Sequence, residues 1–169
     1  SSHPSRHAPM SLKVPKSKAF VQDCGIIRLA HPADALVALA LEGEATELSS
    51  LRAREILEGA IAAKECFVDV DSNDEITGLV IRNTRAFFGR DFVKLLIVSG
   101  AHRRAGVATS LLRNVLSGAH TDTIFSSTNE SNLPMRSLFE KEGWTLSGKL
   151  TGIDEGDPEL VFWHRRVST

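Results

Sequence analysis

The stretch Val98-Ser99-Gly100-Ala101-His102-Arg103-Arg104-Ala105-Gly106-Val107-Ala108-Thr109 lies between two runs of opposite periodicity. Before it, Phe92-Val93-Lys94-Leu95-Leu96-Ile97-Val98 is almost continuously apolar, which predicts a central strand covered on both faces. After it, Val107, Leu111 and Val115 recur at one helical spacing with Ala108, Leu112 and Leu116 beside them, which predicts an amphipathic helix ending near Gly118. Strand therefore becomes helix through Ser99 to Gly106. Backbone N–H groups at a helix start have no intrahelical partner, and the helix dipole places partial positive charge there, so a phosphate can accept several hydrogen bonds at once. Gly106 and Ala108 leave room for that approach, and Arg103 and Arg104 add charge beside it. The expected ligand is a pyrophosphate.

Working outward, the N-terminal side reads as a short strand over Ile26 to Leu29, then a helix from His31-Pro32 through Leu36, Val37, Ala40 and Leu41 with proline in its first turn. A second helix follows Ser49-Ser50, where Ile56, Leu57, Ala60 and Ile61 make one apolar face. Cys66, Val68 and Val70 alternate with Phe67, Asp69 and Asp71, and Ser72-Asn73-Asp74 turns that strand into a second one over Ile76 to Phe88. Beyond the central helix come a strand over Thr123 to Ser127, a helix over Asn132 to Lys141, and final strands over Trp144 to Ile153 and Glu159 to Arg166. The order is βααβββαβαββ.

The 169 residues suit one domain, 20–169, with a core large enough to need no disulfide or structural metal. Twenty Lys and Arg balance 21 Asp and Glu, so no whole-protein field attracts nucleic acid or an anionic membrane, and partners have to be read from motifs. No apolar run approaches the roughly 20 residues that cross a bilayer. Cys24 and Cys66 are too few for a disulfide framework and fit a reducing, cytoplasmic setting. Residues 1–19, with Pro4, Pro9, Pro15, several serines and no apolar stretch, read as a disordered leader or a cloning remnant.

Arg-x-x-Gly-x-Ala is a common pattern by itself, and neither the Walker nor the dinucleotide-binding glycine spacing surrounds Gly100 and Gly106. In its context, however, the segment resembles the acetyl-CoA motif of the GCN5-related N-acetyltransferase (GNAT) family, Val-x-Pro-x-x-Arg-x-x-Gly-x-Gly/Ala, with Gly100 in place of the proline. Asn132-Leu133-Pro134-Met135-Arg136-Ser137-Leu138-Phe139-Glu140-Lys141-Glu142-Gly143-Trp144 is similar to the family's second signature, Asn-x-x-Ala-x-x-Leu-Tyr-x-x-x-Gly-Phe. The resemblance implies an α/β fold with a mixed, mostly antiparallel seven-stranded sheet, four flanking helices, and strands that splay near Val98. It also implies acetyl-CoA as cofactor. Val98 would pair with the pantetheine arm, Leu96 would polarise the thioester carbonyl with its N–H, and Arg103, Arg104, Ala105, Gly106, Val107, Ala108 and Thr109 would hold the pyrophosphate. Asn132 would touch the pantetheine, and Phe139 stands where the family carries its tyrosine. Acetyl transfer would be direct: a deprotonated primary amine, on a small molecule or a peptide, attacks the thioester and coenzyme A leaves as a thiolate.

Two departures bear on mechanism. The chain has no tyrosine, so the general acid that commonly protonates the sulfur is missing, at a cost of about 10² to 10⁴ in rate. Histone-type members carry a glutamate four residues before the thioester-polarising position, and here that position is Phe92, with Lys94 expected on the same strand face. The densest acidic group, Asp154, Glu155, Asp157 and Glu159, supplies Glu155 and Glu159 as candidate proton acceptors, and reads equally well as a solvated turn shaped by Gly156 and Pro158. His102 either steers the adenosine phosphates or is an exposed loop side chain. His31, His120 and His164 have no ligand spacing, so no metal is expected. Phe139, Trp144, Phe162 and Trp163 read most simply as core. A catalytically idle acyl-CoA-binding or regulatory module is the alternative to an enzyme, and a homodimer is admitted as a further partner.

Overall fold

The computed structural model describes residues 25–43 and 50–166. Strand β1 (Ile26–Leu29) leads through a 3-10 turn (Pro32–Asp34) into α1 (Ala35–Gly43), followed by α2 (Ser50–Ala62), β2 (Cys66–Val70), β3 (Ile76–Phe87) and β4 (Arg90–Val98). A second 3-10 turn (Gly100–His102) precedes α3 (Val107–Ser117), then β5 (Thr123–Asn129), α4 (Leu133–Lys141), β6 (Thr145–Leu150) and β7 (Glu159–Arg165). This is the element order expected from periodicity. Cys24 and the N-terminal leader lie outside the described residues. The last hairpin differs in length, since β6 ends at Leu150 where a strand to Ile153 was expected.

All seven strands form one sheet in the order β1-β2-β3-β4-β5-β7-β6, antiparallel except for the central β4–β5 pair. One face carries a core of Ala38, Leu57, Cys66, Val68, Leu79, Ile81 and Ile97, in which α1 and α2 pack on the N-terminal strands. The other carries Val80, Val93, Leu111, Leu112, Val115, Ile124, Phe139 and Phe162 beneath α3 and α4. Each fully buried leucine in these layers is worth roughly 1.5–3 kcal/mol of removed apolar surface.

β4 departs from the expectation of a strand covered throughout. Its pairing with β5 stops after Asp91↔Ile124, Phe92↔Phe125 and Val93↔Ser126, and the strands then diverge. The Ser126 hydroxyl donates to the Val93 carbonyl at 2.9 Å, where the ladder ends. Leu95, Leu96 and Val98 are only half-buried because their β5 side faces a gap. A bulge at Lys94, with Ile81 opposite Leu95 but Arg82 opposite Val93, also breaks the simple alternation. Leu96 therefore joins Val93 in the α3/α4 layer, whereas Phe92 lies on the other face beside Phe125. Phe92 and Leu96, which a regular alternation would put on one face, thus lie on opposite faces.

Below the gap the sheet is locked by buried polar groups. Arg82 donates to the Val115 carbonyl at 3.0 Å, stands 3.7 Å from the Asp91 carboxylate and stacks over Phe67; burial pushes its pKa down. Asp91, fully buried, accepts the backbone N–H groups of Arg85 and His120 at 3.0 and 2.7 Å. Those bonds offset the cost of burying its charge.

Gly78 on β3, opposite Val98, lets α3 sit close to the sheet: an added Cβ would lie 2.9 Å from the Ile97 carbonyl oxygen, 2.9 Å from Val107 and 3.1 Å from Leu111. Gly78→Val should therefore lower the unfolding free energy by about 1–3 kcal/mol, measured by urea titration, since the helix must lift to admit the side chain. Burial also raises the Cys66 thiol to about 12. Its contribution to stability is whole below the ordinary thiol pKa and declines as pH rises toward the folded value. In a Cys24→Ser background, Cys66 should resist iodoacetamide at neutral pH and react only once denaturant opens the chain.

Candidate active site

The backbone amide of Ser99 donates to the Thr77 carbonyl at 2.8 Å, and this bond fixes the phase of the β3–β4 ladder. With Gly78 opposite Val98 and Val80 opposite Leu96, the bonded pairs of the antiparallel pattern are Thr77/Ser99, Leu79/Ile97 and Ile81/Leu95. Leu96 and Val98 occupy the alternate positions. Their N–H and C=O groups are thus directed away from β3, toward the edge from which β5 has diverged. Splaying leaves these two backbone positions outside the β4–β5 ladder.

Two adjoining cavities of about 280 and 330 Å³ occupy this gap, near the lower end of ligand-site volumes. The one on the helix side is lined by Leu96, Ile97, Val98, Ala108, Pro134, Met135 and Leu138, with Asn132 and Arg103 as its polar members. The other lies between the strands and is bounded by Val93 to Ile97, Ser126 to Asn129, Asn132, Met135 and Glu159. Leu96, Ile97, Asn132 and Met135 line both, so the cavities meet at the Leu96 backbone. An apolar slot that begins beside an arginine suits a long, weakly polar arm ending in phosphate.

The loop feeding α3 is held from below. The Ser99 hydroxyl and His102 Nδ1 are 2.6 Å apart, and His102 Nε2 lies 3.8 Å from Asp71, whose other carboxylate oxygen accepts the N–H groups of Asn73 and Glu75 at 2.9 Å. His102 is therefore half-buried and tied into the fold rather than a freely exposed side chain. Arg104 and Gly106 both adopt left-handed backbone, at φ 64° and 82°. Glycine accepts this conformation without strain, whereas Arg104 carries a cost of roughly 1–2 kcal/mol. No side chain caps α3, and Arg103, Arg104, Ala105 and Gly106 are exposed while Val107, Ala108 and Thr109 are half-buried. The first turn thus begins without a side-chain cap, shortly after two exposed arginines.

Asn132 caps α4, its side-chain oxygen accepting the Met135 N–H at 3.2 Å. The acidic turn separates into roles. Asp154 accepts from the Asn129 amide at 2.8 Å, and Asp157 accepts the N–H and hydroxyl of Ser131, clamping the β6–β7 loop onto the β5–α4 turn. Glu159 lines the gap, opposite Asn129. Glu155 is exposed in a depression bounded by residues 151–158 and does not line the gap, so the catalytic role expected of it has no geometric support.

Phe139 carries two readings, a core residue and, from the family's tyrosine position, a cofactor contact; it is fully buried, stacked on Phe162 at 4.7 Å and packed against Trp144 at 5.0 Å, which fits the core reading and gives the cofactor contact no geometric support. Leu138, its neighbour, lines the slot instead. Pattern reading also missed Met135, Ser126 and Asn129. Met135 and Leu138 fall within the second quoted motif, and helical spacing from Asn132 could have found them; Ser126 and Asn129 depend on where β5 leaves β4.

The sequence model of the acetyltransferase (GNAT) family matches residues 34–144. A solved structure of a GNAT-family acetyltransferase from Bacillus cereus ATCC 10987 shares 34% identity, covers 85% of this chain and 98% of its own, and superposes with a TM-score of 0.78. yncA from Salmonella typhimurium, solved with its cofactor acetyl-CoA, shares 17% identity over 86% of this chain and 96% of its own at a TM-score of 0.69. An N-acetyltransferase from Staphylococcus aureus Mu50 shares 17% over 85% and 99% at 0.68. The last two show the common fold alone. No curated protein matches the chain.

Because Asn132 both caps a helix and lines the slot, the two duties can be separated. Asn132→Ala should cost about 1 kcal/mol in urea unfolding, whereas Asn132→Asp, which caps equally well, should keep full stability while removing the side-chain donor.

Proposed function

The chain belongs to the GNAT family of acetyltransferases, and we propose that it moves the acetyl group of acetyl-CoA directly onto a primary amine. The observation that carries this reading is the phase of the β3–β4 ladder, which directs the Leu96 and Val98 backbone groups into the gap. When bound, acetyl-CoA supplies a thioester whose C–S bond breaks as the C–N bond to the amine forms, releasing coenzyme A as a thiolate and one proton from nitrogen.

The chain's own groups act around that chemistry. Val98 would pair with the amides of a pantetheine arm, and Pro134, Met135 and Leu138 would flank it. The first-turn amides of α3, with Arg103 and Arg104, would hold the pyrophosphate. The Leu96 N–H donates to the carbonyl oxygen on which negative charge develops, and being fixed in a strand it needs no reorganisation to do so. Glu159, at the far side of the gap, accepts the proton that the amine must lose. With Phe139 at the family's tyrosine position and no tyrosine in the sequence, that acid is missing, and a thiol of ordinary pKa near 8.5 leaves tolerably without one. The buried thiol of Cys66 fits a reducing cytoplasm; among the described residues no helix is long and apolar enough to cross a membrane.

Thiol release from acetyl-CoA across a panel of primary amines tests the reading. Saturable coenzyme A binding with no release from any amine would overturn it. Gly106→Val should weaken coenzyme A binding by about tenfold or more in calorimetry, because the β-branched side chain disfavours left-handed backbone at the cradle. Glu159→Gln should depress kcat/KM by about 10² at neutral pH and recover part of that loss as pH rises, when free amine no longer needs an acceptor for its proton.

A further inference from the structure

Ser99, His102 and Asp71 carry the side-chain types of a hydrolytic triad, but the ring is turned the other way. The serine meets Nδ1 and the carboxylate faces Nε2, the reverse of a nucleophile's arrangement. None of the three lines either cavity of the gap. Their contacts instead tie the loop before α3 to the turn between β2 and β3.

The tie has one fixed end. One Asp71 carboxylate oxygen accepts the N–H groups of Asn73 and Glu75, and the Asp71 N–H donates to the Glu75 carbonyl at 3.0 Å. The other oxygen faces His102 Nε2 at 3.8 Å, too long for a hydrogen bond but close enough for attraction. With the ring proton on Nε2, the Ser99 hydroxyl donates to Nδ1, 2.6 Å away. The His102 N–H also donates to the Ser99 carbonyl at 3.0 Å, so backbone and side chain hold the same two residues together.

Arg103 follows this tie directly. It leaves the 3-10 turn in extended backbone, at φ −63° and ψ 146°, and lines the slot with Val98 and Asn132. Arg103 to Gly106 are exposed, and Val107 then packs against the α3/α4 core layer. Within that span Arg104 holds left-handed backbone at φ 64°, a conformation that persists where the flanking structure imposes it. His102 is the braced residue on the strand side of the span.

We infer that His102 is a positioning residue for the diphosphate end of the donor: held by Asp71 and Ser99, it presets Arg103 and the entry into α3. This rests on the acetyltransferase reading. The strand groups that would meet the pantetheine arm are fixed separately, by the Ser99 N–H on the Thr77 carbonyl. Loss of the imidazole should therefore be felt only by a ligand that carries the diphosphate, because an unbraced loop must be ordered as that ligand binds.

The test compares acetyl-CoA with S-acetylpantetheine, a donor without the diphosphate. His102→Ala should raise the KM for acetyl-CoA by about tenfold and leave kcat, and kcat/KM for S-acetylpantetheine, within about twofold. His102→Asn, whose amide reaches the Nδ1 position, should recover part of that loss. Asp71→Asn still accepts the two turn amides and should raise the KM for acetyl-CoA by about twofold to threefold; it decides by the same comparison should His102→Ala fail to fold. Equal losses with both donors, a fall in kcat at unchanged KM, or an unchanged KM for acetyl-CoA overturns the inference. Where the parent does not turn over S-acetylpantetheine, ADP competing with acetyl-CoA carries the comparison, and an inhibition constant that His102→Ala does not raise overturns it. Coenzyme A binding without turnover of any amine overturns the transferase reading alone. Calorimetry then decides for His102, whose loss should raise the Kd of coenzyme A about tenfold and leave that of pantetheine unchanged; equal shifts, or none, overturn the inference. Absence of coenzyme A binding by the parent overturns both.

Discussion

Everything at the site depends on how briefly β4 and β5 are paired. Three residue pairs hold the one parallel junction among the described strands, and the Ser126 hydroxyl on the Val93 carbonyl marks its end. A fourth and fifth pair would consume the Leu96 and Val98 backbone groups in the ladder and close the gap between the cavities. Antiparallel strands on either side continue undisturbed, so the sheet opens without falling apart. The buried Arg82–Asp91 group, anchored on Val115 and on the amides of Arg85 and His120, holds the joined end while the other end stays open.

The divergence also gives the gap two different ends. On the α3/α4 face the gap continues into the apolar slot and the loop that carries Arg103 and Arg104. On the opposite face it ends against aromatic rings and one carboxylate. The Lys94 bulge enforces this division, since it sends Leu96 toward α3 and α4 but leaves Phe92 with Phe125. Residues that would share one side of a regular strand lie on opposite faces here.

Positioning of the donor loop draws on parts of the chain that no local motif marks. Asp71, at the end of β2, reaches His102; Thr77 receives the Ser99 amide; Gly78 brings α3 down against Ile97. Each acts from outside the 98–109 segment, and together they fix the loop to the β2–β3 hairpin. The acidic turn has a similar hidden division, with Asp154 and Asp157 spent on holding the loop and Glu159 left to face the gap.

Periodicity and punctuation alone determined the element order, because strand and helix repeats are local properties of which residues alternate and which recur every third or fourth place. Val107, Leu111 and Val115 specified α3, and the small residues at 106 and 108 marked its open start. The same local reading could not tell Phe139 from a cofactor contact or Glu155 from Glu159, since a helix position or a hairpin position acquires its role from what packs against it. Register shifts at Lys94 and the early end of the β4–β5 ladder arise from contacts between residues tens of positions apart. Tertiary structure decided those, because hydrogen bonding between strands and burial between layers are properties of pairs, and the pairs exist only once the chain has folded.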